Sequence, residues 1–146
     1  MDPAQRFKVV PAVYLMLIKD GQILLSRRFQ TGYEDGNYSL PAGHLDGGET
    51  LTEALVREVK EEIDVVIKKE DIELKHTMNR KASDHERIDF FFTVRNWRGE
   101  PKIMEPNKCD DLKWFPLNNL PANIIPCVRF AIESVLSDKP YSEYGW

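Results

Sequence analysis

Residues 50–63 constrain the fold most strongly, because they specify a helix with distinct faces. Thr50 and Glu53 have the spacing of a capping box, in which each side chain accepts a hydrogen bond from the other residue's backbone amide. The helix is therefore predicted to begin here. At about 100° per residue, the apolar side chains fall on one side. They are Leu55, Val56, Val59 and Ile63. This stripe predicts packing against a sheet.

An acidic sector runs along the flank of the apolar stripe. Its four members are Arg57, Glu58, Glu61 and Glu62. Glu58 and Glu62 are one turn apart, so their like charges repel each other. The predicted solvent face is elsewhere, at Glu53 and Lys60, so the acidic sector is not explained as ordinary surface. Its carboxylates indicate a bound cation, and Mg²⁺ or Mn²⁺ suits these hard oxygen donors.

The segment before the helix completes a longer pattern. Gly43, Gly47 and Gly48 allow tight bends and close approach of the backbone to a ligand. Together with the helix they resemble the signature of the Nudix hydrolase family: G, five residues, E, seven residues, R-E-U-x-E-E-x-G-U, where U is aliphatic. The matching residues are Gly43, Glu49, Arg57, Glu58, Val59, Glu61, Glu62 and Val65. Asp64 replaces the motif's last glycine, but Asp tolerates the left-handed turn expected there, so metal binding should survive.

The resemblance implies an α/β fold of the Nudix type, a mixed β-sheet sandwiched between α-helices, as one domain over residues 1–146. It also implies hydrolysis of nucleoside diphosphates linked to a group X, with Mg²⁺ or Mn²⁺ as cofactor. By the motif, the metal ligands are Glu58, Glu61 and Glu62, and Arg57 orients the glutamates. Glu49 is a supporting carboxylate. Gly43 is a loop hinge included in both the metal site and the substrate site.

The predicted mechanism needs a group that accepts a proton. Metal ions neutralise phosphate charge and lower the pKa of a bound water, and a nearby carboxylate then takes the proton. Glu105 occupies a loop position similar to one that supplies this base in bacterial MutT-type members. Glu61 and Glu62 are alternatives for this role, and the alternative for Glu105 itself is an exposed loop acid.

Three further residues are candidates for substrate binding. Asn123 follows Pro-Ala, as does an asparagine that contacts a purine edge in MutT-type enzymes; the alternative is that Asn123 caps the last helix. Arg27 and Arg28 end a predicted strand and could meet phosphate or base, although arginines there are often simply surface. Residues 87–92 predict a buried strand with alternating polar positions rather than a recognition surface.

The predicted substrate is a nucleoside triphosphate, with oxidised purine nucleotides among the candidates, and it is cleaved to the monophosphate and pyrophosphate. ADP-ribose, a sugar nucleotide or a dinucleoside polyphosphate is the alternative within enzymes, because the motif recognises the diphosphate and says little about X. A binding protein of the same fold that has lost catalysis is a third possibility. Such a protein should lack a motif glutamate, and this sequence keeps all of them.

Composition limits the other partners. The chain has 146 residues, of which 42% are hydrophobic and 30% charged, as in a single globular domain. The net charge of −4 gives no general attraction to nucleic-acid polymers or membranes, so the expected partner is a small nucleotide and the expected state is monomer or homodimer. Cys109 and Cys127 lack a disulfide or zinc pattern, which favours reduced thiols and a cytoplasmic location.

The remaining elements follow from local patterns. Residues 9–18 and 23–28 predict a hairpin around Asp20 and Gly21. Strands are also predicted near residues 72–80, 87–94 and 112–117. A second helix is predicted from Pro126 to about Ser137, since its apolar residues have helical spacing and proline suits a first turn.

Overall fold

Two α-helices pack on opposite faces of a five-stranded sheet in the computed structural model, which describes residues 2–146. The helices are α1 (Leu51–Ile63) and α2 (Pro126–Leu136). The strands are β1 (Val10–Met16), β2 (Ile18–Lys19), β3 (Gln22–Arg28), β4 (Tyr38–Ser39), β5 (Ala42–His44), β6 (Val66–Ile67), β7 (Ile72–Lys81), β8 (Glu86–Val94), β9 (Trp97–Arg98), β10 (Cys109–Pro116) and β11 (Tyr141–Tyr144). Short 3-10 turns span Pro3–Gln5 and Lys69–Asp71.

The five-stranded sheet is mixed, with the order β11-β7-β8-β1-β5. The pairs β1–β8 and β7–β11 are parallel, whereas β7–β8 and β1–β5 are antiparallel. A second sheet has the order β10-β3-β2, with β4 also beside β3, and β6 pairs with β9. In the first sheet β5 is an edge strand, which leaves it open to groups from other elements.

The central strand β1 divides the core in two. Successive strand residues point to opposite faces, so Ala12, Tyr14 and Met16 pack with α2 in one buried cluster. Val13 and Leu15 pack with α1 in the other. The predicted α/β sandwich is therefore confirmed. None of the helices within residues 2–146 is both long and apolar enough to cross a lipid bilayer.

The predicted hairpin is wrong in one respect. Residues 9–18 do not form one strand: β1 stops at Met16, and the separate strand β2 pairs with β3 around Asp20 and Gly21. The hydrogen-bonded neighbours of β1 are β5 and β8 rather than β3. Strands as short as β2, β5, β6 and β9 carry too few residues to show a hydrophobic period, which is why the sequence did not reveal them.

Candidate active site

Helix α1 presents its acidic sector to the edge strand β5. The capping box is present: Thr50 Oγ1 accepts from the Glu53 amide at 3.2 Å, and a Glu53 carboxylate oxygen accepts from the Thr50 amide at 3.4 Å. The stripe residues Leu55, Val59 and Ile63 are buried, while Glu53 and Lys60 are exposed, as predicted. The helix register therefore turns the glutamates toward β5, where the Ala42 amide donates to Glu62 at 3.1 Å.

Gly43 has a different role from the one expected. It lies within β5 and has no positive φ, so it is not a loop hinge; Gly47 and Gly48, at φ 86° and 72°, make the turn instead. A Cβ placed on Gly43 would lie 2.0 Å from Cδ of Glu58. The missing side chain thus provides the space that the Glu58 carboxylate occupies.

Arg57 ties the surrounding carboxylates together. It donates to both carboxylate oxygens of Glu49, at 2.7 and 3.1 Å, and to the carbonyl oxygen of His44 at 3.2 Å. Its Nη1 donates to Glu58 at 2.8 Å and to Glu61 at 3.3 Å. The paired guanidinium holds the pKa of Glu49 below its usual range. The orienting role of Arg57 stays a prediction, and these contacts are the ones it would require.

Glu62 is a carboxylate without enough positive charge around it. Loss of solvent on burial, together with the charges of Glu58 and Glu105, raises its pKa to about 8, although the Ala42 amide and the charge of Arg28 oppose the rise. Burial also raises the pKa of Glu58, and Arg57 opposes that rise. Glu61 differs, since its side chain is 55% exposed and its one ion pair is with Arg57.

These oxygen donors fit a divalent cation. A cation beside Glu62 and Glu58 would replace their lost solvation and offset their mutual repulsion. Within residues 2–146, no three His, Cys, Asp or Glu side chains already converge as a preformed metal site. Glu58 is turned toward Arg57 instead, so its carboxylate has to share that partner with any metal it binds.

A cavity of about 770 Å³ connects these residues. Its volume is in the range of pockets that hold small organic ligands. The structure brings nearly all the predicted site residues to its wall. They are Arg27, Arg28, Gly43, Arg57, Glu58, Glu61, Glu62 and Glu105.

Arg27 and Arg28 differ in how their charge is compensated. Arg27 forms an ion pair with Asp110 at 2.8 Å. Arg28 donates instead to the carbonyl oxygen of Tyr33 at 2.6 Å and to the hydroxyl of Thr31 at 3.0 Å, both uncharged. Arg28 is therefore the arginine at the outer part of the cavity with charge to offer an anionic ligand.

The loop before β10 places Glu105 opposite the helix. The amide of Lys102 donates to the carbonyl oxygen of Ile63 at 3.0 Å, and the amide of Met104 donates to the carbonyl oxygen of Glu62 at 3.2 Å. These bonds dock the loop on the end of α1. Asp64 ends the helix in the predicted left-handed conformation, at φ 57°, and its carboxylate pairs with Lys60 and Lys102.

Asn123 does not reach the cavity. Its side-chain amide donates to the carbonyl oxygen of Gly36 at 2.9 Å, which braces the loop between β3 and β4. The helix-capping alternative is wrong, because α2 starts at Pro126 and its N-cap residue is Ile125. The purine contact stays a prediction that would require Asn123 to leave Gly36.

Sequence reasoning missed three charged residues on β7 and β8. Arg80, Arg87 and Asp89 are 7%, 9% and 1% exposed, and both arginines line the cavity. The strand β8 was expected to have alternating polar positions, and it does, but on a face turned inward. The available signal was the pair of opposite charges two positions apart, Arg87 and Asp89, directly before three phenylalanines.

Arg57→Lys is expected to lower turnover by about tenfold or more, the size of effect seen when a residue that orients metal ligands is lost. A lysine ammonium is a point donor and cannot span both oxygens of Glu49 while holding Glu58. Steady-state rates and thermal unfolding measure the change. The matched control is Arg95→Lys, at the residue after β8 and outside the cavity; equal rates for both variants would contradict the orienting role.

Comparison with known proteins places this site in a family. The NUDIX domain model matches residues 8–131. An ADP-ribose pyrophosphatase of Methanocaldococcus jannaschii is 34% identical over 136 residues, which cover 91% of this chain and 75% of that protein.

Two further relatives are also hydrolases by name. The NAD-capped RNA hydrolase NudC of Pseudomonas putida is 30% identical over 116 residues, 78% of this chain, and the match spans 39% of the NudC length. The MutT NUDIX hydrolase structure from Burkholderia pseudomallei superposes with a TM-score of 0.79 at 26% identity, covering 86% of this chain and 97% of that one. With the signature glutamates gathered at one edge strand and the family model matching most of its length, the chain belongs to the NUDIX domain family.

Proposed function

We propose that the protein is a hydrolase that cleaves the diphosphate linkage of nucleoside diphosphate–X compounds with Mg²⁺ or Mn²⁺. The observation that carries this proposal is the state of Glu62, a half-buried carboxylate whose pKa is raised to about 8 by burial and by the charges of Glu58 and Glu105. A cluster of this kind gains stability by binding a cation. The names of the relatives, a pyrophosphatase and a hydrolase, support the same reaction.

Glu58 and Glu62 would hold the metal, with Glu61 at its exposed side. When bound, the metal would neutralise the diphosphate oxygens and lower the pKa of a water molecule. The water oxygen forms a bond to one phosphorus, the bridging oxygen leaves with the other phosphate, and a carboxylate takes the proton. Glu105, which lies on the cavity wall and is 37% exposed, is the proposed general base. Glu61 and Glu62 are the alternative candidates for this role.

A nucleoside triphosphate is the first candidate substrate. Arg28 supports it, because none of the acidic side chains among residues 2–146 forms an ion pair with this arginine, so its charge is available to a further phosphate. ADP-ribose is the second candidate, and it is favoured by the name of the archaeal relative. Both free cysteines accord with a reducing compartment, and we place the protein in the cytoplasm on that ground.

The direct test is a substrate panel of GTP, ATP and ADP-ribose, with phosphate-containing products measured with Mg²⁺ and with EDTA. Turnover that needs the metal is expected for at least one compound. Glu61→Gln should lower that turnover by at least about tenfold, the low end for losing a metal or base role. Glu73→Gln, an isosteric change on an exposed part of β7, should leave it unchanged. Binding of nucleotide without turnover of any compound would identify a non-catalytic binding protein instead.

A further inference from the structure

A buried ionic cluster forms the inner wall of the cavity. The Asp89 carboxylate accepts from Nε of Arg80 at 2.7 Å and from Nε of Arg87 at 3.1 Å. One carboxylate therefore lies between two guanidinium groups, and the cluster carries a net positive charge. Arg80 is therefore a second buried guanidinium on a carboxylate that Arg87 already pairs with.

The two arginines differ in their remaining donors. Arg87 uses all of its nitrogens: Nη1 donates to Nε2 of His44 at 3.2 Å and Nη2 donates to the Tyr14 hydroxyl at 3.4 Å. Among residues 2–146, Arg80 donates a hydrogen bond only through Nε, to Asp89. Yet no buried side-chain nitrogen or oxygen in the described part of the chain lacks a partner. The Nη1 and Nη2 groups of Arg80 must therefore reach the open space of the cavity that Arg80 lines.

The strand register explains why space is left there. Ala12 of β1 lies beside His44 on one neighbouring strand and Asp89 on the other, and its methyl group fills little of the gap between them. Apolar side chains also line the cavity, among them Leu40, Ile125, Cys127 and Val128. Burial raises the pKa of the Cys127 thiol, and the charge of Arg80 is the largest opposing influence, which places the two side chains near each other.

The chemistry of the wall indicates what Arg80 binds. A phosphate or carboxylate held here would press its remaining oxygens against apolar side chains, at a cost in desolvation. A planar base has apolar faces and an accepting edge. The parallel Nη1 and Nη2 donors match O6 and N7 of guanine, whereas adenine presents an amino donor in place of O6.

We propose that Arg80 reads the O6 and N7 edge of a 6-oxopurine base and makes the site selective for guanine nucleotides over adenine nucleotides. The inference rests on the proposed function only in taking the ligand to be a nucleotide. In 8-oxoguanine N7 bears a hydrogen, which would face an Arg80 donor, so the site should prefer unmodified guanine to the oxidised base.

Binding without metal tests the inference separately from hydrolysis. The intact protein in EDTA is titrated calorimetrically with GMP, AMP and 7-deaza-GMP, which lacks the N7 acceptor. The wild type should bind GMP at least about tenfold more tightly than AMP, with 7-deaza-GMP weaker than GMP. Arg80→Lys keeps a cation for Asp89 but removes the planar pair of donors, so it should bring GMP and AMP within about twofold of each other. Arg129→Lys, on the outer side of α2, is the control and should keep the preference.

Equal binding of GMP and AMP by the wild type, or a preference retained by Arg80→Lys, would overturn the inference. If the lysine variant does not fold, the wild-type comparison of GMP with 7-deaza-GMP decides by itself, because equal affinity would remove any N7 contact. If guanine selectivity is found but no nucleotide is hydrolysed with Mg²⁺, the base contact stands and the proposed function falls. If a nucleotide is hydrolysed with Mg²⁺ but GMP and AMP bind equally, the proposed function stands and the base contact of Arg80 falls.

Discussion

Glu62→Gln is expected to lower turnover by about 100-fold or more while the protein stays folded. Glutamine has the same shape, and its carbonyl oxygen can still accept from the Ala42 amide, which now bonds Glu62 at 3.1 Å. What is lost is the negative charge at the most buried carboxylate of the cluster. Steady-state kinetics measure the loss, and a Mn²⁺ titration should show weaker metal binding in parallel.

The same substitution is expected to stabilise the metal-free protein. The pKa of Glu62 is raised to about 8 in the folded state from an ordinary 4.5, so the folded protein holds this proton more tightly than the unfolded chain. Ionisation of Glu62 therefore opposes folding increasingly from about pH 4.5 to pH 8, and the full cost is present above that range. At pH 8.5 in EDTA, the unfolding temperature of Glu62→Gln should be above that of the wild type.

Two results would contradict this account of Glu62. An unchanged rate would exclude it from both metal binding and proton transfer. A lower unfolding temperature in EDTA would mean that its charge is already compensated without a metal. Glu133→Gln, an isosteric change on the exposed side of α2, is the control for removing one negative charge and should alter neither rate nor unfolding temperature appreciably.

Features that depend on local sequence were predicted well. The capping box at Thr50 and the apolar stripe of α1 depend on residues three and four apart, so the helix and its orientation could be derived without the rest of the fold. The left-handed conformation of Asp64 follows from the helix end in the same way. The acidic sector could therefore be placed beside the core from the sequence alone.

Features that depend on contacts between distant segments were not predicted from the sequence. The role of Gly43 is set by Glu58, which approaches from another element, so the glycine looked like a hinge in the sequence. Asn123 has its carbonyl partner 87 positions away, at Gly36. Arg80 acquires its environment from β1 and α2, and nothing near it in the chain indicates which face of β7 meets a cavity.

Gly43→Ala is expected to lower turnover by about 100-fold with little loss of stability. The new Cβ would lie 2.0 Å from Cδ and 2.3 and 2.4 Å from the carboxylate oxygens of Glu58. These atoms are the end of a flexible side chain, so the fold can relieve the clash by moving the Glu58 carboxylate away from β5. Removing a ligand from its position should cost at least as much as disturbing a group that orients it.

The pattern across two glycines tests this reasoning more sharply than either change alone. Gly21 has φ +73° in the β2–β3 turn, and no heavy atom lies within 4 Å of a Cβ built there. Gly21→Ala should therefore lower the free energy of unfolding by about 1 kcal/mol through backbone strain, with turnover unchanged. Gly43→Ala should show the opposite: near-normal unfolding, weak Mn²⁺ binding and slow turnover. Normal Mn²⁺ affinity and turnover in Gly43→Ala would show that the Glu58 carboxylate functions away from β5, so that metal binding does not require the space beside Gly43.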